Sequence, residues 1–169
     1  MGAVDQWILQ WLGKEMGDCL AATVKSMPAI PVPPGSYEAG RNQYYSTRIL
    51  KAMLKEVPED AEKLLGVTDK DLCIPILTYV FGEAQLGGTA AVVSLARLRQ
   101  EHYGLAPDRE LFQERIRKEC LHELGHTFGL NDMYDASYAD HTMYGYGSRG
   151  ETKKNTLTAG DAASVNALY

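Results

Sequence analysis

The sequence predicts an α/β (α+β) fold, a sheet with helices packed on it. Three observations point there. Helical apolar spacing recurs near the start of the chain and again over residues 107–128. Two apolar, β-favouring runs, 72–81 and 89–98, lie between these helical stretches. A length of 169 residues accommodates a single domain, 1–169, with a sizeable core.

In order, Val4, Ile8, Leu9, Trp11 and Leu12 predict an amphipathic helix over 4–17. Residues 20–27 are expected as a strand, and 28–35, with four prolines and a glycine, as an extended loop. Tyr45, Ile49, Met53 and Leu54 mark a second helix that ends before Pro58. A short helical piece is expected at 59–65, stopped by Gly66. Residues 72–81 form a buried strand, 82–88 a turn-rich connection and 89–98 another strand. Pro107 and Asp108 supply the start of the clearest helix, and Phe112, Ile116, Cys120 and Leu124 its apolar stripe. Residues 129–156 read as irregular. Thr158 to Asp161 resembles a capping box opening a last helix over 158–169.

Bulk properties exclude several functions. A formal net charge of -5 leaves no electrostatic footprint for nucleic acid or anionic lipid. No apolar stretch is long enough to span a bilayer. The N-terminus shows no basic segment followed by an apolar run, which makes a cytoplasmic location the expectation. Cys19, Cys73 and Cys120 stand at no zinc-knuckle or redox spacing and are expected as buried free thiols. A monomer is expected.

The chemistry concentrates in His122-Glu123-Leu124-Gly125-His126, an HExxH pattern on the predicted helix. Spacing of i, i+4 puts both imidazoles on one face, one turn apart, where a zinc ion can bridge them. The stripe at 112, 116, 120 and 124 anchors the opposite side in the core. Glu123 is then free to act as general base on a zinc-activated water without being a ligand.

The pattern continues through Gly129 to Asp132. A glycine three residues after the second histidine can turn the chain sharply and return Asp132 to the metal as third ligand. Asp135 and His141 are the other candidates, histidine being a common zinc ligand. This longer stretch resembles the metzincin signature, with Asp in place of the usual His, and is similar to the snapalysin-type variant. Met143, within Thr142-Met143-Tyr144-Gly145, matches the position of the metzincin Met-turn.

Upstream, VFGEAQLGGTAAVVSLARLR over 80–99 and the Arg41-Asn-Gln-Tyr44 segment, taken with the HExxH helix, resemble the archaemetzincins. The resemblance covers roughly residues 1–130. It implies a compact metzincin-like fold with a mixed, twisted sheet, one catalytic zinc ion, and residues 89–98 as the upper rim of the cleft. An extended peptide could pair with the edge of that strand. Archaemetzincins usually carry a third histidine ligand followed by cysteines for a second zinc. Here Asp132 stands third and no cysteine follows Cys120, so no second, structural zinc is expected. Residues 131–169 look more like the tail of secreted bacterial metzincins related to matrixins. Such folds normally open with a strand, whereas this sequence enters a helix almost at once, which implies a shortened chain or one strand fewer.

The expected activity is zinc-dependent hydrolysis of peptide bonds in a peptide or protein substrate. A zinc-binding module without peptidase activity and a zinc amidase acting on a non-peptide substrate are the alternatives. Glu123 counts against the first of these, because a pure binding site has no use for a general base. Tyr144 and Tyr146 are candidates to stabilise an oxyanion, although the tyrosine position two residues after the Met holds Gly145. Arg97 and Arg99 could meet substrate, with ion pairing the more ordinary role.

Overall fold

The computed structural model describes residues 4–145. Its first helix, α1 (Gln6–Leu20), turns Ile8, Leu12 and Met16 inward at i, i+4 spacing. Leu20 extends this packing, which leaves Cys19 exposed on the outer face rather than buried as expected. Ala21 ends the helix in a left-handed conformation, φ 50°. Residues 20–27 do not form the expected strand. Val24 and Met27 are 47% and 40% exposed, so the run has no apolar face to bury against a partner.

A three-stranded sheet lies at the centre, built from β3 (Leu64–Thr68), β6 (Gly82–Ala84) and β7 (Ala90–Ser94) in the order β3-β7-β6. β3 runs parallel to β7 and β6 antiparallel to it. The alternating pleat sends Leu65, Val67, Val93 and Leu95 towards α1 and α3 (Arg109–Thr127). Leu64, Ala90 and Val92 face α2 (Ser46–Met53), against Ile49, Leu50 and Met53. Each fully buried Val, Leu or Ile contributes about 1.5–3 kcal/mol, and β7 is buried at all five positions.

Two expectations fail in this sheet. Residues 59–65 are not helical. Their end belongs to β3, with Gly66 in mid-strand opposite Val92 rather than stopping a helix, because five residues of pairing with β7 outweigh local preference. Residues 82–88 are not only a turn, since β6 forms their first half.

A second sheet, ordered β1-β2-β4-β5, consists of β1 (Tyr37–Glu38), β2 (Gln43–Tyr45), β4 (Leu72–Ile74) and β5 (Leu77–Val80). β2 and β4 are parallel and the other pairs antiparallel. The single buried strand expected over 72–81 is thus a hairpin. Pro75 lacks a ladder donor, Ile76 at the turn is 86% exposed, and the first three residues of β5 are exposed. The two sheets are tied by ion pairing: Arg97, just past β7, grips Asp71 with two bonds of 2.7 and 2.8 Å. Gln43 donates to the same carboxylate at 3.0 Å.

Asp108 caps α3 by accepting from the Leu111 N–H at 3.0 Å. Phe112, Ile116, Cys120 and Leu124 then bury one side of the helix as the sequence predicts. No helix among the described residues is long and apolar enough to cross a membrane. The predicted helix over 158–169 lies outside the described residues.

Candidate active site

The apolar stripe of α3 fixes its rotation, and the opposite face presents His122, Glu123 and His126 to a cleft. β6 forms one wall of that cleft through Gly82, Glu83 and Ala84, with Leu86 beyond them. Asn131 and Asp132 form part of the other wall, and the space enclosed is about 420 Å³.

The end of α3 is where Asp132 is brought back. Gly129 has φ 90°, its N–H donates to the His126 carbonyl, and the Leu130 N–H reaches the Gly125 carbonyl at 3.0 Å. A left-handed residue at this point reverses the chain within a few residues. Lys63 braces the same end, donating to the carbonyls of Thr127 at 3.0 Å and Gly88 at 2.9 Å. Lys63 thereby ties the helix end to the loop that follows β6.

The two histidines are oriented by the main chain. His122 Nδ1 lies 3.0 Å from the Thr142 carbonyl and His126 Nδ1 lies 2.8 Å from the Leu130 carbonyl. A carbonyl can only accept, so each Nδ1 carries a proton and each Nε2 is the nitrogen left to face a metal. Those Nε2 atoms are 3.1 Å apart. Asp132 Oδ1 is 3.2 Å from the first and 3.8 Å from the second. A tetrahedral zinc with bonds of ~2.0–2.2 Å needs donors ~3.3–3.6 Å apart, so the three atoms fit one ion.

Electrostatics favour a cation at the same point. Burial works against a charged His122. Even so, the hydrogen bond with Asp132, the charge of Glu119, the Thr142 carbonyl and the charge of Glu123 hold its pKa up at about 9. The His122 contact keeps Asp132 below the usual carboxylate range. Burial, reinforced by Glu119 one turn earlier on α3, pushes Glu123 well above it. Glu123 is 6% exposed, and its Oε2 is buried without a hydrogen-bond partner among the described residues. An oxygen in that condition costs about 1–3 kcal/mol until it gains a partner.

The other candidates sort themselves by position. Among the described residues, the only cluster of three or more His, Cys, Asp or Glu able to hold a metal is His122, His126 and Asp132. Asp135 instead caps a short 3-10 turn, accepting from Ser137 N–H and hydroxyl at 2.8 and 2.6 Å. The His141 ring packs edge-on against Tyr138. Met143 is buried beneath the helix. Tyr144 does not line the cleft, and Tyr146 lies outside the described residues. Arg97 and Arg99 pair with Asp71 and Asp69, away from the cleft.

The rim expected at 89–98 is corrected by the sheet order. β7 is the central strand, paired on both sides, so it has no edge to offer, and β6 is the edge that faces the cleft. Sequence reasoning also missed Tyr134, whose hydroxyl donates to Asp132 Oδ2 at 3.1 Å. An aromatic hydroxyl two residues beyond a candidate acid ligand was the one available signal.

Known proteins resemble this chain over most of its length. The profile of peptidase family M54 matches residues 30–139. Archaemetzincin of Methanocaldococcus jannaschii is 41% identical over 130 residues, covering 77% of this chain and 70% of that protein. Archaemetzincin of Archaeoglobus fulgidus is 39% identical over 128 residues, covering 76% and 73%. Among solved structures, archaemetzincin from Methanopyrus kandleri superposes with a TM-score of 0.80 at 28% identity, over 99% of this chain and 90% of that one. The Archaeoglobus fulgidus structure gives 0.77 at 32% identity, over 95% and 94%.

Proposed function

The chain belongs to peptidase family M54 and is a zinc-dependent metallopeptidase, and from that premise we propose that His122, His126 and Asp132 hold a single catalytic zinc while Glu123 is the general base. The observation that carries the assignment is the convergence of two imidazole Nε2 atoms and one carboxylate oxygen, 3.1–3.8 Å apart, beside a buried, unpartnered Glu123 oxygen.

Zinc bound there supplies Lewis acidity, lowering the pKa of a water and polarising the scissile carbonyl. Glu123 takes the proton of the attacking water and returns it to the departing amine. Burial raises its pKa above the ordinary carboxylate range, which makes it a stronger proton acceptor. Asp132 is fixed for its part by the Tyr134 hydroxyl, and the histidines by the Thr142 and Leu130 carbonyls.

The peptide or protein substrate lies extended along β6. Ser94 N–H donates to the Phe81 carbonyl and Gln85 N–H to the Ala90 carbonyl. Antiparallel pairs alternate, so residues 81, 83 and 85 bond inward to β7, while the N–H and C=O of Gly82 and Ala84 turn to the open edge.

Elemental analysis and turnover of an internally quenched peptide library test the assignment together. Glu123→Gln is expected to keep the zinc and lose turnover. Retained turnover in that variant would remove Glu123 as the base.

A further inference from the structure

Gly82 sits in β6, paired with Val93, at a position whose side-chain direction is the α3 face of the sheet. A Cβ built on it would lie 2.6 Å from Glu123 Cγ and 2.7 Å from both Cδ and Oε1. Ordinary carbon contacts begin at ~3.5 Å. The Glu123 carboxylate therefore occupies the volume that any other residue at 82 would fill. Gly82 is not among the positive-φ glycines, so its backbone imposes no demand for glycine, and the missing side chain supplies room alone.

The strand cannot readily move away. The next residue, Glu83, points to the opposite face and accepts from the hydroxyls of Ser46 and Thr47 at the start of α2, the latter at 2.8 Å. Its carboxylate also suits the positive end of that helix. On the far side β6 is held by its ladder with β7. Glu123 is equally confined, because it rides on a helix whose opposite face is buried in the core.

Resting on the assignment of Glu123 as base, we propose that Gly82 is a positioning residue for the reaction: its bare backbone sets where the Glu123 carboxylate stands in the cleft. A methyl group at 82 would push the carboxylate off that position, since the three atoms nearest to it all belong to Glu123.

Four proteins test this, namely wild type, Gly82→Ala, Glu123→Asp and the double variant, each assayed with the library peptide that the wild type cleaves fastest. Gly82→Ala is expected to lower kcat at least 10-fold, with KM and zinc content within twofold of wild type. In the Glu123→Asp background, where the shorter side chain makes room, the same change should cost less than threefold. An equal factor in both backgrounds, or an unchanged kcat in Gly82→Ala, overturns the proposal. Thermal unfolding of the zinc-free proteins gives a reading independent of turnover, and of how well Gly82→Ala itself folds. Gly82→Ala should lower Tm when Glu123 is present and leave it unchanged in the Glu123→Ala background. An equal drop in both backgrounds would place the conflict elsewhere and overturn the assignment. Failure of the general-base reading itself would appear separately, as turnover surviving Glu123→Gln.

Discussion

Met143 packs its sulfur against the bare backbone of Gly125, where an added Cβ would come within 2.5 Å of Sδ and 3.3 Å of Cε. Gly125 lies between the two histidines in the sequence of α3, so this contact braces the helix beside the face that carries them. Met143→Ala should destabilise the protein by about 2–5 kcal/mol. Gly125→Ala should cost about 1–3 kcal/mol from overpacking, partly offset by the ~1 kcal/mol that alanine gains over glycine in a helix. Combined, the new methyl enters the space left by the sulfur. The pair should then be less destabilised than the sum by more than about 0.5 kcal/mol in denaturant unfolding. Strict additivity would show that the two residues do not share that space.

Asp132 and His141 compete in the sequence but not in the geometry. After dialysis, Asp132→Ala should retain almost no zinc, whereas His141→Ala should retain as much as wild type. Asp132→His, which restores the commoner metzincin ligand, should bind. Tyr134→Phe removes the hydroxyl that holds Asp132 Oδ2, and should weaken zinc by roughly 10- to 100-fold, the usual cost of losing an outer partner. Zinc titration against a competing chelator measures all four. Full loss in His141→Ala with retention in Asp132→Ala would reverse the assignment.

The clustering of His122, His126 and Asp132 was legible because it is local. HExxH, Gly129 and Asp132 belong to one helix and the turn that ends it, so spacing and the left-handed glycine carry the geometry. β6 was not legible. Gly82, Glu83 and Ala84 have no strand pattern of their own and become a strand by pairing with β7. The conflict between a Gly82 side chain and Glu123 exists only once the sheet has packed on α3. Gly66 misled for a related reason. Its local meaning is a helix stop, but opposite Val92 it is a buried strand position. The 72–81 run failed on Pro75, whose missing donor allows a hairpin that apolar composition alone conceals.

Acid stability should depend on Asp71. Burial pushes its carboxyl upward, but the Arg97 guanidinium and the Gln43 amide outweigh that and hold it below the usual range. A native carboxyl that binds its proton more weakly than the unfolded chain stabilises the fold above the unfolded value of ~3.9. That contribution is lost as pH falls through the folded pKa. Asp71→Asn should therefore cost about 1–3 kcal/mol at pH 7, with the gap to wild type narrowing below pH ~4. Urea unfolding across pH 2–7 reads this out, and a gap independent of pH would mean that the charge of Asp71 is not what the pair contributes.

The open edge of β6 makes the last prediction, because proline can probe it without breaking the sheet. Ala84 N–H points away from β7 by the alternation that its neighbours fix. Proline is tolerated on an edge strand where the N–H faces outward, so Ala84→Pro should keep the fold and the zinc. It would remove one donor to an extended substrate. A single such bond is worth about 0.5–1.5 kcal/mol, or roughly 2- to 12-fold in kcat/KM. If the bond is made equally before and during reaction, the loss falls on KM with kcat unchanged. The matching probe is a peptide N-methylated at successive positions. The methyl that removes a substrate N–H facing a β6 carbonyl should weaken cleavage in wild type and variant alike, whereas reducing to a methylene the substrate carbonyl that meets Ala84 N–H should matter only in wild type. Unchanged kcat/KM in Ala84→Pro, with zinc intact, would mean that substrate is held elsewhere in the cleft.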